Sequence, residues 1–404
     1  MILPATNEKP HHSGPALHLS VLDQAPVAEG SSASEALERS VQLAQHVEGL
    51  GYRRFWMSEH HAMQTLACSA PEVVLARVGA ATRRIRIGSG GIMLPHYAPL
   101  KVAESFLTLA VMYPDRVDLG VGRAPGGGPI ESQALRRDRR SLPSDDFPEQ
   151  MAELLEWLGQ GQGFARDHAF RRVQVSPALA QGQASPEVWL LGSSLWGAAA
   201  AAHWGLPYAF AHFFSPVATR AALESYRNAF MPRHLNLSGA PQLAAPKAVA
   251  AVGVIVADSD EEARFLHSSV RLLQRRIRMG DRRPVASPED ATRILRDEFG
   301  EQDKSSPRSS AGSSAAASQN GRLDVVMNNE EGEFPRYIVG SPSTVRHELG
   351  TMSASLGLSE ILVNTIVHDH ASRLRSYSLL AAEFASDAQV QADRAEPLSQ
   401  RAAS

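Results

Sequence analysis

The chain has 404 residues, enough for one large domain or two smaller ones. Hydrophobic residues make up 43 % and charged residues 21 %, the balance of a globular enzyme, and a formal net charge of −3 gives no electrostatic case for nucleic acid or a membrane surface as partner. The single cysteine, Cys68, excludes an internal disulfide and a cysteine-based zinc site, and reads as a small buried hydrophobe.

Residues 1–16 lack the basic start and apolar core of a secretory signal and read as a disordered leader. No run of about 18 apolar residues is present, so no membrane span is expected and a cytoplasmic protein is. Leu17 to Leu22 alternates apolar and polar residues and predicts the first strand, ending at Asp23-Gln24. Ser32 and Glu35 have capping-box spacing, and Leu37, Val41, Ala44, Val47 and Leu50 make a helical stripe that Gly51 stops. Arg53 to Met57 is the second strand and Pro71 to Ala81 its helix. Ile85 to Ser89 is the third strand, followed by a helix over Leu100 to Met112; Val117 to Val121 is the fourth. A long polar loop with Gly126 to Gly128 and Arg136 to Arg140 follows, then a helix opened by Asp146 and Pro148 with the stripe Met151, Leu154, Leu155 and Leu158.

Val188 to Leu191 is the fifth strand, with an alanine-rich helix to about Trp204. Tyr208 to Ala211 is the sixth, with a helix over Pro216 to Phe230; Ala248 to Ala257 is the seventh, with a helix through about Arg278. Residues 303–321 are a Ser/Ala/Gly stretch that cannot build a core and read as a disordered or mobile insertion. Tyr337 to Gly340 and a helix from Pro342 return the chain to the barrel. Ile361 to Ile366 is the eighth strand, His370 to about Phe384 the closing helix, and 387–404 a polar tail. Eight alternating β and α units predict a parallel (β/α)8 TIM barrel over 17–386, with insertions after strands four and seven that can form lids or binding loops.

In such a barrel, chemistry sits at the C-terminal strand ends. The second strand runs from Phe55-Trp56-Met57 straight into Ser58-Glu59-His60-His61. Histidine titrates near neutrality, so this is the first place to look for an acid/base group; two histidines in an exposed loop is the bland alternative. The third strand ends in Ser89, Gly90 and Gly91, where a flat ring can pack or where the chain simply makes a tight turn. The fourth ends in Gly122-Arg123-Ala124, and a guanidinium there suits a phosphate, unless it is only a surface arginine. The fifth ends in Gly192-Ser193-Ser194 before a helix, an anion site in prospect, unless Ser194 is only a cap. Arg123 and Ser193 leave neighbouring strands and can grip one phosphate. Arg271 to Arg283 reads as a solvated helix face, and Asp138, Asp145 and Asp146 as turns and caps.

Taken in order, EHH, SGGIMLPHYAPLKVAE, GVGRAPG and LGSS resemble the bacterial luciferase-like flavin monooxygenases, from about Leu17 to Ala382. The resemblance implies a TIM barrel that binds reduced FMN or, in a sister branch, a deazaflavin coenzyme. It implies that His60 is the active-site histidine, that Gly90-Gly91 is a non-proline cis peptide beneath the flavin ring with Ser89 beside it, and that Arg123 with Ala124 and Gly192, Ser193 and Ser194 hold the phosphate. In the luciferase subunit an acidic residue stands where Ser193 stands and a threonine where Gly197 stands, so the details of that grip differ here. Trp56, His212 and Phe213 are candidates for the substrate side, with core packing the commoner role for any one aromatic. The expected activity is oxidation of a small organic substrate by O2. No dinucleotide fingerprint follows the first strand, so a separate NAD(P)H-dependent flavin reductase is expected as partner, and a homo-oligomer as the assembly. A deazaflavin-dependent dehydrogenase, a metal-dependent hydrolase built on Glu59, His60 and His61, and a flavin-binding protein without catalysis are the alternatives.

Overall fold

The computed structural model describes residues 17–136, 146–232, 243–300 and 332–395. The leader, the 303–321 stretch, Asp138, Asp145 and the end of the polar tail lie outside the described residues. The sheet is made of β1 (His18–Asp23), β2 (Arg54–Met57), β3 (Arg86–Met93), β4 (Val117–Gly122), β5 (Glu187–Gly192), β6 (Tyr208–Ala211), β7 (Ala248–Val256), β8 (Tyr337–Gly340) and β9 (Glu360–Asn364). All pairings are parallel, and eight strands close into a ring: β1 through β7 in sequence, then β9, which pairs with both β7 and β1. This is the TIM barrel expected from the alternation of strand and helix.

Two details differ from the sequence expectation. Tyr337–Gly340 forms a ninth strand outside the closed ring. β7 is nine residues long; Ala248–Ala251 pair with β6, whereas Gly253–Val256 rise past the end of β6 and pair with β8. Arg336 donates to the carbonyls of Phe213 and Phe214 just beyond β6, so β8 takes up the edge of β7 where β6 leaves off. Backbone groups that would otherwise lack partners are satisfied there. The third strand also does not stop at Ser89: β3 continues through Gly90-Gly91 to Met93, with a register shift between Gly90 and Ile92.

Around the ring lie α1 (Ala33–Gly49), α2 (Pro71–Ala81), α3 (Pro99–Met112), α4 (Pro129–Leu135), α5 (Phe147–Trp157), α6 (Leu195–His203), α7 (Thr219–Ala229), α8 (Asp260–Arg278), α9 (Pro288–Phe299), α10 (Pro342–Leu356) and α11 (His370–Ala395). The Ser32/Glu35 capping box is formed in both directions, and α1 buries Val41, Ala44 and Val47 as its spacing predicts. Helices α4 and α9 were not read from the sequence; α4 is only seven residues long, whereas α9 carries a readable stripe, Ala291, Ile294, Leu295 and Phe299, after its Ser287 cap.

Inside the ring, Leu22, Trp56, Trp189, Val249 and Leu362 make a dry middle layer, with the two indoles edge to face at 5.2 Å. Room for them comes from glycines on β3 and β4: a Cβ on Gly88 would lie 2.8 Å from Trp56 Nε1, and one on Gly120 only 2.2 Å from the Ser89 carbonyl oxygen. Beneath this layer the strand starts are plugged by charges. Arg54 donates to Asp118 at 2.8 Å, Glu187 at 3.1 Å and Glu360 at 2.8 Å, while Arg86 pairs with Asp118 and Lys247 with Glu187. With the N-terminal mouth filled, the C-terminal end is the open one.

Candidate active site

At the end of β2 the chain continues its pairing with β1, Ser58 N–H donating to Asp23 O at 2.9 Å. Glu59 then turns fully inward and anchors three partners. Its Oε2 accepts from the backbone N–H of Met93 at 2.9 Å, and its Oε1 accepts from the Tyr97 hydroxyl at 2.6 Å and from His61 Nε2 at 2.5 Å. Burial, and next the bond to Glu59, raise the Tyr97 phenol above its ordinary range, so it remains a donor. His61 N–H donates to Gly126 O, and His96 Nε2 lies 2.7 Å from Pro125 O. One buried carboxylate thus ties the ends of β2 and β3 together, and the loop after β4 hangs on the same set.

His60 points the other way. Its Nδ1 lies 3.2 Å from Ser58 Oγ and its Nε2 3.5 Å from Gln24 Nε2. Ser58 donates its own proton towards Asp23 O at 3.4 Å, which leaves Oγ as acceptor for an Nδ1–H and leaves the Nε2 lone pair facing the Gln24 amide. Burial, opposed by Glu59 and reinforced by His61, pulls the His60 pKa down to about 4. The ring is therefore neutral at pH 7. The divergence of His60 from His61 is what extended chain dictates. It also separates the donors a metal would need: among the described residues no group of three His, Cys, Asp or Glu side chains can hold a metal ion.

At the ring terminus of β3, the Gly90-Gly91 peptide is cis. A Cβ on Gly91 would meet the backbone Gly120 O at 2.8 Å, and one on Gly90 would push against Leu22 Cδ1 at 2.5 Å, so glycines keep this floor free of side chains. Ser89 is fully buried and its hydroxyl donates to Gly120 O at 2.8 Å; the side chain is committed to the sheet.

Across the rim, Arg123 follows β4 and its Cζ sits over the Trp196 ring, 3.8 Å from the centroid. Phe147 holds Trp196 edge-on at 5.6 Å. Among the described residues no carboxylate pairs with Arg123, and partial burial lowers its pKa without bringing it near neutrality. Trp196 is the second residue of α6, so the guanidinium stands at that helix N-terminus. Ser194 occupies the cap position, yet its side chain makes no cap hydrogen bond. Among the described residues the hydroxyls of Ser193 and Ser194 and the first amides of α6 have no acceptor. Gly192 and Gly197 lie so close that a Cβ on either would come within 3.4 Å of the other's Cα, which lets the helix start close over the strand end. Ala124 is exposed in the loop beyond Arg123.

Free donors at a helix start, an uncommitted arginine and a side-chain-free floor fit a phosphate-bearing planar cofactor. Residues 17–360 match the family model for luciferase-like monooxygenases. The chain belongs to the luciferase-like monooxygenase family. A luciferase-like monooxygenase of Escherichia coli K12 is 38 % identical over 360 residues, covering 89 % of this chain and 95 % of the relative. The N-acetyl-S-alkylcysteine monooxygenase of Bacillus subtilis 168 is 32 % identical over 365 residues, covering 90 % and 97 %. The crystal structure of apo-MsnO8 superposes with a TM-score of 0.75 at 38 % identity, covering 91 % of this chain and 98 % of that one.

In this member of the luciferase-like monooxygenase family, the remaining sequence candidates are engaged within the protein. Trp56 is fully buried and donates to Asp118, and His212 is fully buried between Thr219 Oγ1 at 2.8 Å and Pro335 O at 3.0 Å. Phe213 packs half-buried against the middle layer of the ring. Tyr97, Gln24 and Trp196 were not singled out from the sequence as members of this site, and Glu59 was named there only as a metal ligand in an alternative reading, not as the anchor of the rim. The partners of Tyr97, Gln24 and Trp196 are remote in sequence, so no local pattern signals the three.

Proposed function

We propose that this protein is a monooxygenase that uses reduced FMN and O2 to oxidise a small organic substrate. Reduced FMN when bound supplies two electrons to O2; one oxygen atom goes to the substrate and the other leaves as water. The observation that carries the reading is the uncommitted Arg123, stacked on Trp196 beside the uncapped start of α6. A dianionic phosphate accepts from the guanidinium, from the amides of α6 and from Ser193 and Ser194. Gly90, Gly91 and Gly120 give a planar ring a floor without side chains. His60, neutral and oriented by Ser58 and Gln24, offers a nitrogen that accepts a proton or a hydrogen bond from the reacting oxygen or the substrate.

A deazaflavin coenzyme also carries a phosphate, so this cradle does not separate the two; relatives with at least 30 % identity that are named monooxygenases favour the oxygen reaction. A separate NAD(P)H-dependent flavin reductase supplies the reduced cofactor. No helix among the described residues is long and apolar enough to cross a membrane, and a cytoplasmic homo-oligomer is the expected form. The test is anaerobic titration with oxidised and photoreduced FMN, then admission of air. Tighter binding of the reduced form and O2 consumption coupled to substrate oxidation support the reading. Absence of binding by either form sends it to the deazaflavin coenzyme, and hydride transfer without oxygen uptake overturns it.

A further inference from the structure

The loop after β4 carries Arg123, so the reach of the guanidinium depends on what holds that loop. On one side it is fixed by the sheet, where Gly122 pairs with Met93 and with Leu191. Two residues past Arg123 the chain is fixed again. His96 Nε2 lies 2.7 Å from Pro125 O, and His61 N–H donates to Gly126 O at 3.1 Å. Gly126 has a φ of 61°, and a Cβ there would come within 3.1 Å of the Met93 side chain, so the loop crosses close over the end of β3. Arg123 stands between these two fixed points.

A carbonyl oxygen only accepts, so His96 carries its proton on Nε2 and donates it to Pro125. Its Nδ1 is buried and has no partner among the described residues. Burial lowers the His96 pKa, so the ring is neutral at pH 7. The base of the ring is held as well. His96 ends a single 3-10 turn, Leu94–His96, and the residues on either side of that turn are both tied to Glu59. Met93 donates its N–H to Glu59 at 2.9 Å and Tyr97 its hydroxyl at 2.6 Å. His61, the third partner of Glu59, meets the His96 ring edge to face at 5.8 Å. The buried carboxylate thus fixes the platform from which His96 grips the loop.

We propose that His96 is a positioning residue for phosphate binding: its bond to Pro125 O holds the loop so that Arg123 stays over Trp196 at the start of α6. The inference rests on the flavin reading above and adds a residue that acts through Arg123. A loop already held in its binding shape need not be ordered when the phosphate arrives, so the latch acts on affinity. The ring end of a flavin, on the floor of Gly90, Gly91 and Gly120, should not feel it.

The test compares reduced FMN with reduced riboflavin, which lacks the phosphate, by quenching of tryptophan fluorescence in the full chain under anaerobic conditions. The native chain should bind FMN the more tightly. His96→Phe keeps a ring against His61 and removes the donor. It should weaken FMN about five- to tenfold, the loss of one hydrogen bond, and leave riboflavin unchanged. His96→Gln places an amide N–H near the position of Nε2 and should recover most of the FMN affinity. Gly126→Ala strains the same loop at its positive φ without altering His96, and should weaken FMN alone in the same way. Native-like FMN affinity in His96→Phe and Gly126→Ala, equal losses for the two flavins, or no recovery in His96→Gln overturns the latch and leaves the FMN reading standing. Binding of the deazaflavin coenzyme but not of FMN, with the same dependence on His96, overturns the FMN reading and leaves the latch standing. Binding of neither cofactor overturns both.

Discussion

The acid/base prediction concerns one ring. His60 is neutral at pH 7 because burial holds its pKa at about 4. Replacing it with alanine should lower kcat by about 10²- to 10⁴-fold, the usual range for a positioned proton-transfer group, with the affinity for reduced FMN unchanged. Turnover of the native protein should hold as pH falls through 6 and decline only towards 4; a decline centred near 6.5 would show an ordinary solvated histidine. Arg123 makes the complementary case. With no carboxylate partner among the described residues, its loss leaves nothing uncompensated in the fold. Arg123→Ala should weaken reduced FMN by about 1.5–3 kcal/mol, the range for hydrogen bonds to charged groups, without shifting the melting temperature. A melting shift with unchanged affinity would make it a structural residue. Both were legible because each sits within three residues of an apolar run that ends. The function of Glu59 was not, because Met93 and Tyr97 reach it from 34 and 38 residues along the chain.

At the level of elements, strand and helix alternation was readable wherever a β-branched run met a 3.6-residue stripe, and it gave the ring. What pattern could not give was contact between strand starts. Arg54, Asp118, Glu187 and Glu360 each look like a polar residue at the edge of an apolar run, yet they meet inside the barrel across separations of up to 306 residues. Arg54 is fully buried and bridges all three carboxylates. Its neighbours' charges raise its pKa against the burial that opposes them. Removing it leaves buried carboxylates facing one another, so Arg54→Ala should cost about 3–5 kcal/mol in denaturant unfolding, the range for breaking a buried ion pair. Arg54→Lys should recover little, because Nε and Nη1 serve different partners and an ammonium has no such fork. A loss below about 1 kcal/mol, the value of an exposed pair, would mean the plug is solvated.

Over the whole molecule the histidines act together. Burial is the first cause lowering the pKa of His18, His96 and His212, and it brings His60, His267 and His370 to about 4. In the unfolded chain these rings titrate near ~6.5. As pH falls below that value the unfolded state takes up protons that the native state refuses, and stability falls with it. The loss runs from about pH 6.5 down to the folded values near 4. There Asp23, held low by Arg373 against its burial, begins to add its own. Thermal melts across this range should therefore slope from about pH 6.5, well above where carboxylates alone would start. His267 gives the cleanest control, since its Nε2 has no partner among the described residues and its replacement forfeits no hydrogen bond to them there. His267→Gln should flatten the slope by up to one proton between pH 6.5 and 4 while leaving stability at pH 8 nearly unchanged. An unchanged slope would mean that water reaches the ring, and with it that the packing of α8 on β8 is looser than the 5.2 Å contact between His267 and Tyr337 implies.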